Sequence, residues 1–311
     1  MQNRRKFIKQ VAVGSLGIST LSSFDTFAAK NTLTKLTILH TNDMHSRIDP
    51  FPTNHRKYPG LGGMSKVATL VNKVKAEEKN VVVFDAGDVF QGTPYFNLYG
   101  GELELKLMSQ IGYDACTMGN HDFDNGLDGF NKVLPNANFP FLCANYDFSN
   151  TILDGKTTPY TIIEKDGLKI GKIGIGIQLK GLVDKRQYKE TIYLDPIEQA
   201  NRYATQLKQV EKCNLIICLS HLGFEYSDNK LSDKQLAKGS QNIDLIIGGH
   251  THTFLEKAET FFNKQGKKVL VNQAGWAALS LGRVDFYFDK KKLQKIDSEA
   301  NRFSTKNYAT I

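Results

Sequence analysis

No stretch beyond residue 28 of this 311-residue sequence stays apolar long enough to cross a membrane as a helix, which takes about 20 residues. The sequence also lacks an internal repeat, a low-complexity segment and any linker that would mark a second domain. Cysteine is scarce. Cys116, Cys143, Cys213 and Cys218 form no CxxC pair, and each lies in or beside an apolar run, so they read as buried free thiols even though export would permit disulfides. A strong charge of one sign is missing as well. Of the net +8, Arg4, Arg5, Lys6 and Lys9 against Asp25 contribute +3. The remaining +5 is spread over dispersed lysines and offers no surface for nucleic acid. The run Lys290-Lys291-Lys292, after Asp289, reads as a solvated turn.

What is present starts with an export signal. Asn3-Arg4-Arg5-Lys6-Phe7-Ile8-Lys9 has the form of a twin-arginine motif. A weakly apolar stretch from Val11 to Leu21 follows, and Thr26-Phe27-Ala28 places small residues for cleavage after Ala28. Residues 1–28 are therefore expected to be a twin-arginine signal peptide, and residues 29–311 one folded domain in the periplasm or outside the cell. With 41% hydrophobic and 10% aromatic residues, that domain can bury a sizeable core.

The apolar periods predict alternating strands and helices. Strands are expected at Lys35–His40, Asn80–Phe84, Tyr113–Met118, Phe141–Ala144, Leu215–Leu219, Ile243–Ile247, Lys268–Asn272 and Leu281–Phe288. Helices are expected at Met64–Lys75, Glu102–Ile111 and Leu127–Val133. A further helix should start at Asp195-Pro196-Ile197-Glu198, with Asp as cap and Pro at the first position. Asp166-Gly167 between two apolar runs predicts a hairpin, so part of the structure is antiparallel. The fold class that follows is α/β, with two mixed β-sheets packed face to face and helices outside.

Five loops carry the chemistry, each at the end of a predicted strand: Asn42-Asp43-Met44-His45, Asp85-Ala86-Gly87-Asp88, Gly119-Asn120-His121-Asp122-Phe123-Asp124, Ser220-His221 and Gly248-Gly249-His250-Thr251-His252. Strand ends of this kind gather at one edge of an α/β sheet, where ligands bind. Five of the seven histidines lie in these loops, a concentration that core packing does not require. Of the other two, His40 reads as a core or supporting group and His55 as solvated. Taken singly, an Asp-x-His is usually a turn, a Gly-Gly-His is weak, and Asp88 could be a helix cap; their joint order changes the odds. Asp43, His45, Asp88, Asn120, His221, His250 and His252 offer seven N/O ligands, enough for two divalent ions that share a bridging carboxylate. Asp43 with His45, and His250 with His252, are two residues apart, so each pair would chelate from one extended stretch. A set of carboxylate, amide and imidazole without thiolate suits Mn, Zn, Fe or Co and does not choose among them.

Together the five motifs resemble those of the calcineurin-like metallophosphoesterases. Leu39-His40-Thr41-Asn42-Asp43, Gly119-Asn120-His121-Asp122-Phe123-Asp124 and Ser220-His221-Leu222-Gly223 are most similar to the N-terminal catalytic domain of the bacterial 5′-nucleotidase, UDP-sugar hydrolase and 2′,3′-cyclic phosphodiesterase family. The resemblance runs from Leu36 to Asp289. It implies a four-layer α/β/β/α metallophosphatase sandwich. It also implies one metal on Asp43, His45, Asp88 and His252 and a second on Asp88, Asn120, His221 and His250. Asn120 and His121 would contact substrate, with His121 over the phosphoryl group as a catalytic residue oriented by Asp124. The implied reaction is hydrolysis of nucleotides or related phosphomonoesters, by in-line attack of a metal-bridging hydroxide. Cyclic phosphodiesterase and thiosulfohydrolase activity on the same site are the enzymatic alternatives. A phosphate-binding subunit that needs a partner chain is the non-catalytic one. Two-domain relatives stack the base on a C-terminal domain absent from this sequence, so the chain alone is expected to discriminate bases poorly, and a separately encoded C-terminal nucleotidase domain is an expected partner. Some relatives carry Gln at the position of His252 and Glu at that of Asp122.

Overall fold

The computed structural model describes residues 33–290 and 295–304. The expected signal peptide and most of the lysine run lie outside these described residues. Among the described residues fourteen strands form: β1 Leu33–Thr41, β2 Val81–Asp85, β3 Ala115–Thr117, β4 Phe141–Leu142, β5 Tyr146–Asp147, β6 Tyr160–Lys165, β7 Leu168–Ile175, β8 Ile192–Tyr193, β9 Leu215–Ser220, β10 Leu245–Gly248, β11 Glu259–Phe262, β12 Lys268–Asn272, β13 Ser280–Asp289 and β14 Lys295–Ser304. They make two six-stranded mixed sheets, ordered β14-β13-β1-β2-β3-β4 and β11-β12-β10-β9-β7-β6, and a small β5-β8 pair. β1 to β4 are parallel, as are β7, β9, β10 and β12. The predicted hairpin at Asp166-Gly167 joins β6 and β7 in antiparallel register.

Strand parity explains the layers. In β9, Leu215, Ile217 and Leu219 face the other sheet, where they meet Leu36 and Ile38 of β1, Val82 and Phe84 of β2, and Phe286 of β13. Ile216 and Cys218 face outward into a second core with Ala200, Ala204 and Leu207 of a helix at Pro196–Gln209. Both faces are buried, so these strands are continuously apolar. Outside the first sheet, the helices Met64–Glu77 and Glu102–Ile111 bury Val67, Leu70, Val71 and Val74 with Leu105 and Met108. The Asp195 carboxylate caps the Pro196 helix by accepting from Glu198 N at 2.8 Å, as expected from the sequence. All four cysteines are free and buried.

The polar elements escaped the periodic reading. β14 and β11 are edge strands, and in Glu259–Phe262 of β11 the side chains are mostly exposed, so neither carries an apolar period. The short helices Pro94–Tyr99, Lys185–Tyr188 and Asp233–Gly239 are held by their neighbours rather than by a stripe of their own. His40 lies fully buried between the sheets. Its Nε2 accepts from Asn272 Nδ2 at 3.0 Å, tying β1 to the end of β12, and burial lowers its pKa to about 3. His55, expected to be solvated, is half-buried: its ring packs 4.6 Å from Phe51 and stacks on Tyr58 at 5.9 Å and 7°. Tyr58 N donates to its Nδ1, which turns the ring inward.

The two sheets approach each other tightly at Gly174, in β7. A Cβ there would meet Leu142 O, in β4, at 1.9 Å. Gly174→Ala should therefore destabilise the domain by about 1–3 kcal/mol. Thermal unfolding reads this as a lowered midpoint, and an unchanged midpoint would show that the sheets can part there without cost.

Candidate metal centre

Every one of the five loops leaves the C-terminal end of a parallel strand, and all five meet at one edge of the sandwich. Hydrogen bonds between loops set their relative positions. Asp43 N donates to Gly87 O at 2.9 Å and His45 N to Asp88 O at 3.0 Å. Asp85, at the end of β2, accepts from Thr41 Oγ1 at 2.6 Å and from Gly87 N at 2.8 Å. Asp122 is the main clamp: its carboxylate accepts from the backbone N–H of Asp88, Val89, Phe90 and Gly119 at 2.8–3.2 Å. Those four bonds fasten the Asp88 loop to the loop after β3.

Two groups of side chains converge. In one, the ligand atoms of Asp43, His45 and His252 lie within 4.8 Å of one another; in the other, so do those of Asp88, His221 and His250. The groups adjoin, since His45 Nε2 is 4.0 Å from Asp88 Oδ2 and His221 Nε2 is 3.9 Å from Asp43 Oδ1. Asp88 thus reaches both. The expectation of extended chelating pairs holds only in part: Asp43 and His45 do share one group, but not from an extended stretch. Asp43, His45, His250 and His252 all have positive φ, as does Asp88, so the loops are tightly coiled rather than pleated. His250 and His252 consequently join different groups instead of chelating together. Five non-glycine residues in this rarely populated region concentrate backbone strain at the centre.

The donors suit cations. His221 Nδ1 faces Ala86 O at 2.6 Å and His45 Nδ1 faces Gln91 O at 3.2 Å, which leaves each Nε2 turned toward its group. His221 Nε2 is buried and, although 3.0 Å from Asp88 Oδ2, makes no hydrogen bond of acceptable angle. Asn120 Oδ1 is also buried without a partner. Gly119 keeps the space open: a Cβ there would lie 2.2 Å from Asp88 Oδ1 and 2.6 Å from His221 Nε2. Burial lowers the pKa of His45, and burial with His221 nearby brings His250 to about 4, so both imidazoles are neutral and can donate a lone pair. Burial would lower His221 too, but the Asp88 carboxylate raises it to about 10. The buried carboxylates demand positive charge at this spot, and a divalent cation supplies it with the same atoms.

His121 stands apart from both groups. Its backbone N–H donates to Asp88 Oδ1 at 2.8 Å, which fixes the loop, while its ring is partly exposed at the rim, 5.2 Å from the ring of His45. Asp124 Oδ2 lies 2.8 Å from His121 Nδ1 and raises its pKa against the opposing effect of burial. A sixth loop, absent from the sequence reading, completes the wall. Asn42 accepts from Ala274 N at 2.8 Å and donates to Gly275 O at 2.6 Å, and Ala277 N donates to Asp43 O at 2.7 Å. This loop carries Trp276, the only tryptophan of the sequence, onto the ring of His252. Its one distinctive residue sits among small ones, so no spacing in the sequence pointed to it.

Comparison with known proteins agrees with this architecture. The family model for calcineurin-like phosphoesterases matches residues 36–254. The chain is 33% identical over 300 residues to the trifunctional nucleotide phosphoesterase protein YfkN of Bacillus subtilis, covering 86% of this chain and 19% of that protein. It is 34% identical over 278 residues to a snake venom 5′-nucleotidase of Gloydius brevicauda, covering 83% of this chain and 46% of the relative. Among solved structures, the 5′-nucleotidase precursor from Thermus thermophilus superposes with a TM-score of 0.78 at 32% identity, over 87% of this chain and 54% of that one. The chain thus spans less than half the length of these two curated relatives. A family match over these five loops, with relatives above 30% identity, establishes that the chain belongs to the calcineurin-like phosphoesterases.

Proposed function

We propose that the chain is an exported phosphoesterase that holds two divalent cations at this centre and hydrolyses nucleotides or related phosphomonoesters. The observation that carries the reading is the meeting of two three-residue ligand groups at Asp88, with His121 and Asp124 at their rim. Export rests on the sequence of residues 1–28, and the nucleotide on what the named relatives hydrolyse. One cation is assigned to Asp43, His45, Asp88 and His252, and the other to Asp88, Asn120, His221 and His250. When bound, the pair supplies Lewis acidity and a nucleophile available at neutral pH.

The chain's own groups divide the remaining work. Asp43 and Asp88 bring only two negative charges, so the loaded site stays positive toward a phosphate dianion. Asn120, whose buried Oδ1 has no hydrogen-bond partner, would hold the second cation through that oxygen and leave its amide for a phosphoryl oxygen. His121, whose pKa Asp124 raises, faces the leaving oxygen, stabilises the charge that develops there and donates its proton. The Asp122 clamp holds Asp88 and Gly119 in register, so ligands from two loops meet without reorganisation.

Phosphate release from 5′-nucleotides, 2′,3′-cyclic nucleotides, UDP-glucose and simple phosphate esters tests the reading. Turnover of 5′-nucleotides above the cyclic and sugar substrates is expected; turnover of only the cyclic esters, or of none, would overturn the substrate assignment. His121→Ala should keep its metal and lose activity by roughly 10²–10⁴-fold with a nucleoside monophosphate. A nitrophenyl ester, with a better leaving group, should lose less. Equal losses on the two substrates would remove the proton-donor role.

The bridge is tested separately. Asp88→Asn keeps shape but removes the shared charge, and should lower metal affinity by at least the roughly 10–100-fold typical of disturbing a metal site. Asp49 accepts from the exposed hydroxyl of Tyr95 and belongs to neither ligand group, so Asp49→Asn should leave metal affinity unchanged. Similar losses in both variants, read by metal titration, would mean that Asp88 does not bridge.

A further inference from the structure

His252, like His250, lacks the backbone hydrogen bond that holds the rings of His45 and His221, and of those two it is the one with a stacking partner. His45 and His221 each have Nδ1 set against a backbone carbonyl, whereas His252 Nδ1 makes no hydrogen bond among the described residues. Its side chain is 38% exposed, against 10% for His45 and 0% for His221. Its Nε2 nevertheless lies 3.3 Å from Asp43 Oδ1 and 3.0 Å from His45 Nε2. Two imidazole nitrogens at that distance cannot both point lone pairs at each other; a proton or a cation must lie between them. An exposed ring on a strained backbone would turn away unless something held it. The contact that faces it is Trp276, parallel to the imidazole within 4° at a centroid distance of 5.3 Å.

Trp276 is itself held firmly. Its backbone lies between Gly275 and Ala277, which are bonded to Asn42 and Asp43. Its ring meets Phe51 at 5.9 Å, Tyr58 at 6.2 Å and His45 at 6.3 Å, all edge-on. The loop that aims the indole is therefore hydrogen-bonded to the loop that carries Asp43, so ring and carboxylate keep one geometry.

We propose that Trp276 is a positioning residue for the cation assigned to Asp43, His45 and His252, and that its stacked face takes the place of the missing hydrogen bond. The inference rests on the two-cation reading above. Stacking also couples to the charge on the ring. A cation that draws electrons through Nε2 leaves the imidazole more positive, and the electron-rich face of an indole favours a positive neighbour. The contact thus strengthens on loading, which is the property a metal-positioning group needs.

Calorimetric titration of metal-depleted protein with Mn²⁺, together with elemental analysis, tests this. Wild type should take two ions. Trp276→Leu keeps apolar bulk against Phe51 and Tyr58 but has no flat face, and should weaken one ion by about 10–100-fold while leaving the other nearly unchanged. Trp276→Phe, which restores a ring, should recover most of that loss. His252→Ala should weaken the same ion, and Trp276→Leu combined with His252→Ala should be no worse than His252→Ala alone, because the tryptophan acts through that histidine. Additive losses in the double variant, two ions of wild-type affinity in Trp276→Leu, or equal weakening of both ions with a lowered melting temperature would each overturn the proposal. Failure of the wild type to take two ions would instead remove the two-cation reading, and this inference with it.

Discussion

Two carboxylates, Asp43 and Asp88, are buried together at the meeting point of five loops, and the structure around them depends on that charge being matched. Burying an unpaired carboxylate costs several kcal/mol. Here the nearest groups are neutral imidazoles, an amide oxygen and a histidine whose buried Nε2 has no hydrogen-bond partner. Of these only His221, whose pKa Asp88 raises to about 10, can match a charge by carrying a proton; a metal ion at the same atoms would match both. The local fold is accordingly arranged to keep the carboxylates close rather than apart. Asn42 Nδ2 and His250 N donate to Asp43, and His121 N donates to Asp88.

The scaffold provides the rigidity for this. Two sheets with apolar inner faces bring the strand ends and their loops to one edge, and polar ties reinforce that edge specifically. His40 and Asn272 link the sheets just below it, and Asp85 links β1 to the turn before Asp88. The loops above then adopt backbone conformations that Asp and His rarely take, each costing of order 1–3 kcal/mol. A centre assembled in this way is strained and electrostatically incomplete by itself, and the core beneath it holds it in place. That combination is the preorganisation that phosphoryl hydrolysis requires, because the ligands need not move when charge develops on the substrate.

Much of this was legible in the sequence because apolar runs and polar motifs alternate without ambiguity. Val81-Val82-Val83-Phe84 can only be a buried strand, and Gly87-Asp88 follows it at once. The family resemblance set His121 and Asp124 apart from the proposed ligands; in the structure the two side chains pair with each other and are partly exposed. Backbone sign was not legible, since nothing in Asp43-Met44-His45 announces left-handed residues; the extended-chelate reading of His250 and His252 was wrong for that reason. Asp122 reads as one more turn carboxylate until its four N–H donors are seen. Trp276 is distant in sequence from the His252 ring on which it stacks, and its loop carries no metal-ligand type to mark it. Edge strands β11 and β14 were missed because exposed, polar pairing leaves no apolar period.

The central claim is that Asp88 sits between two cations. Diffraction from a metal-loaded crystal, recorded at the absorption edge of the bound ion, measures this directly. Two anomalous peaks about 3.5–4 Å apart are expected. One should lie among Asp43, His45 and His252, the other among Asn120, His221 and His250, with the Asp88 carboxylate in contact with both. A single peak, or two peaks of which only one touches Asp88, would contradict it.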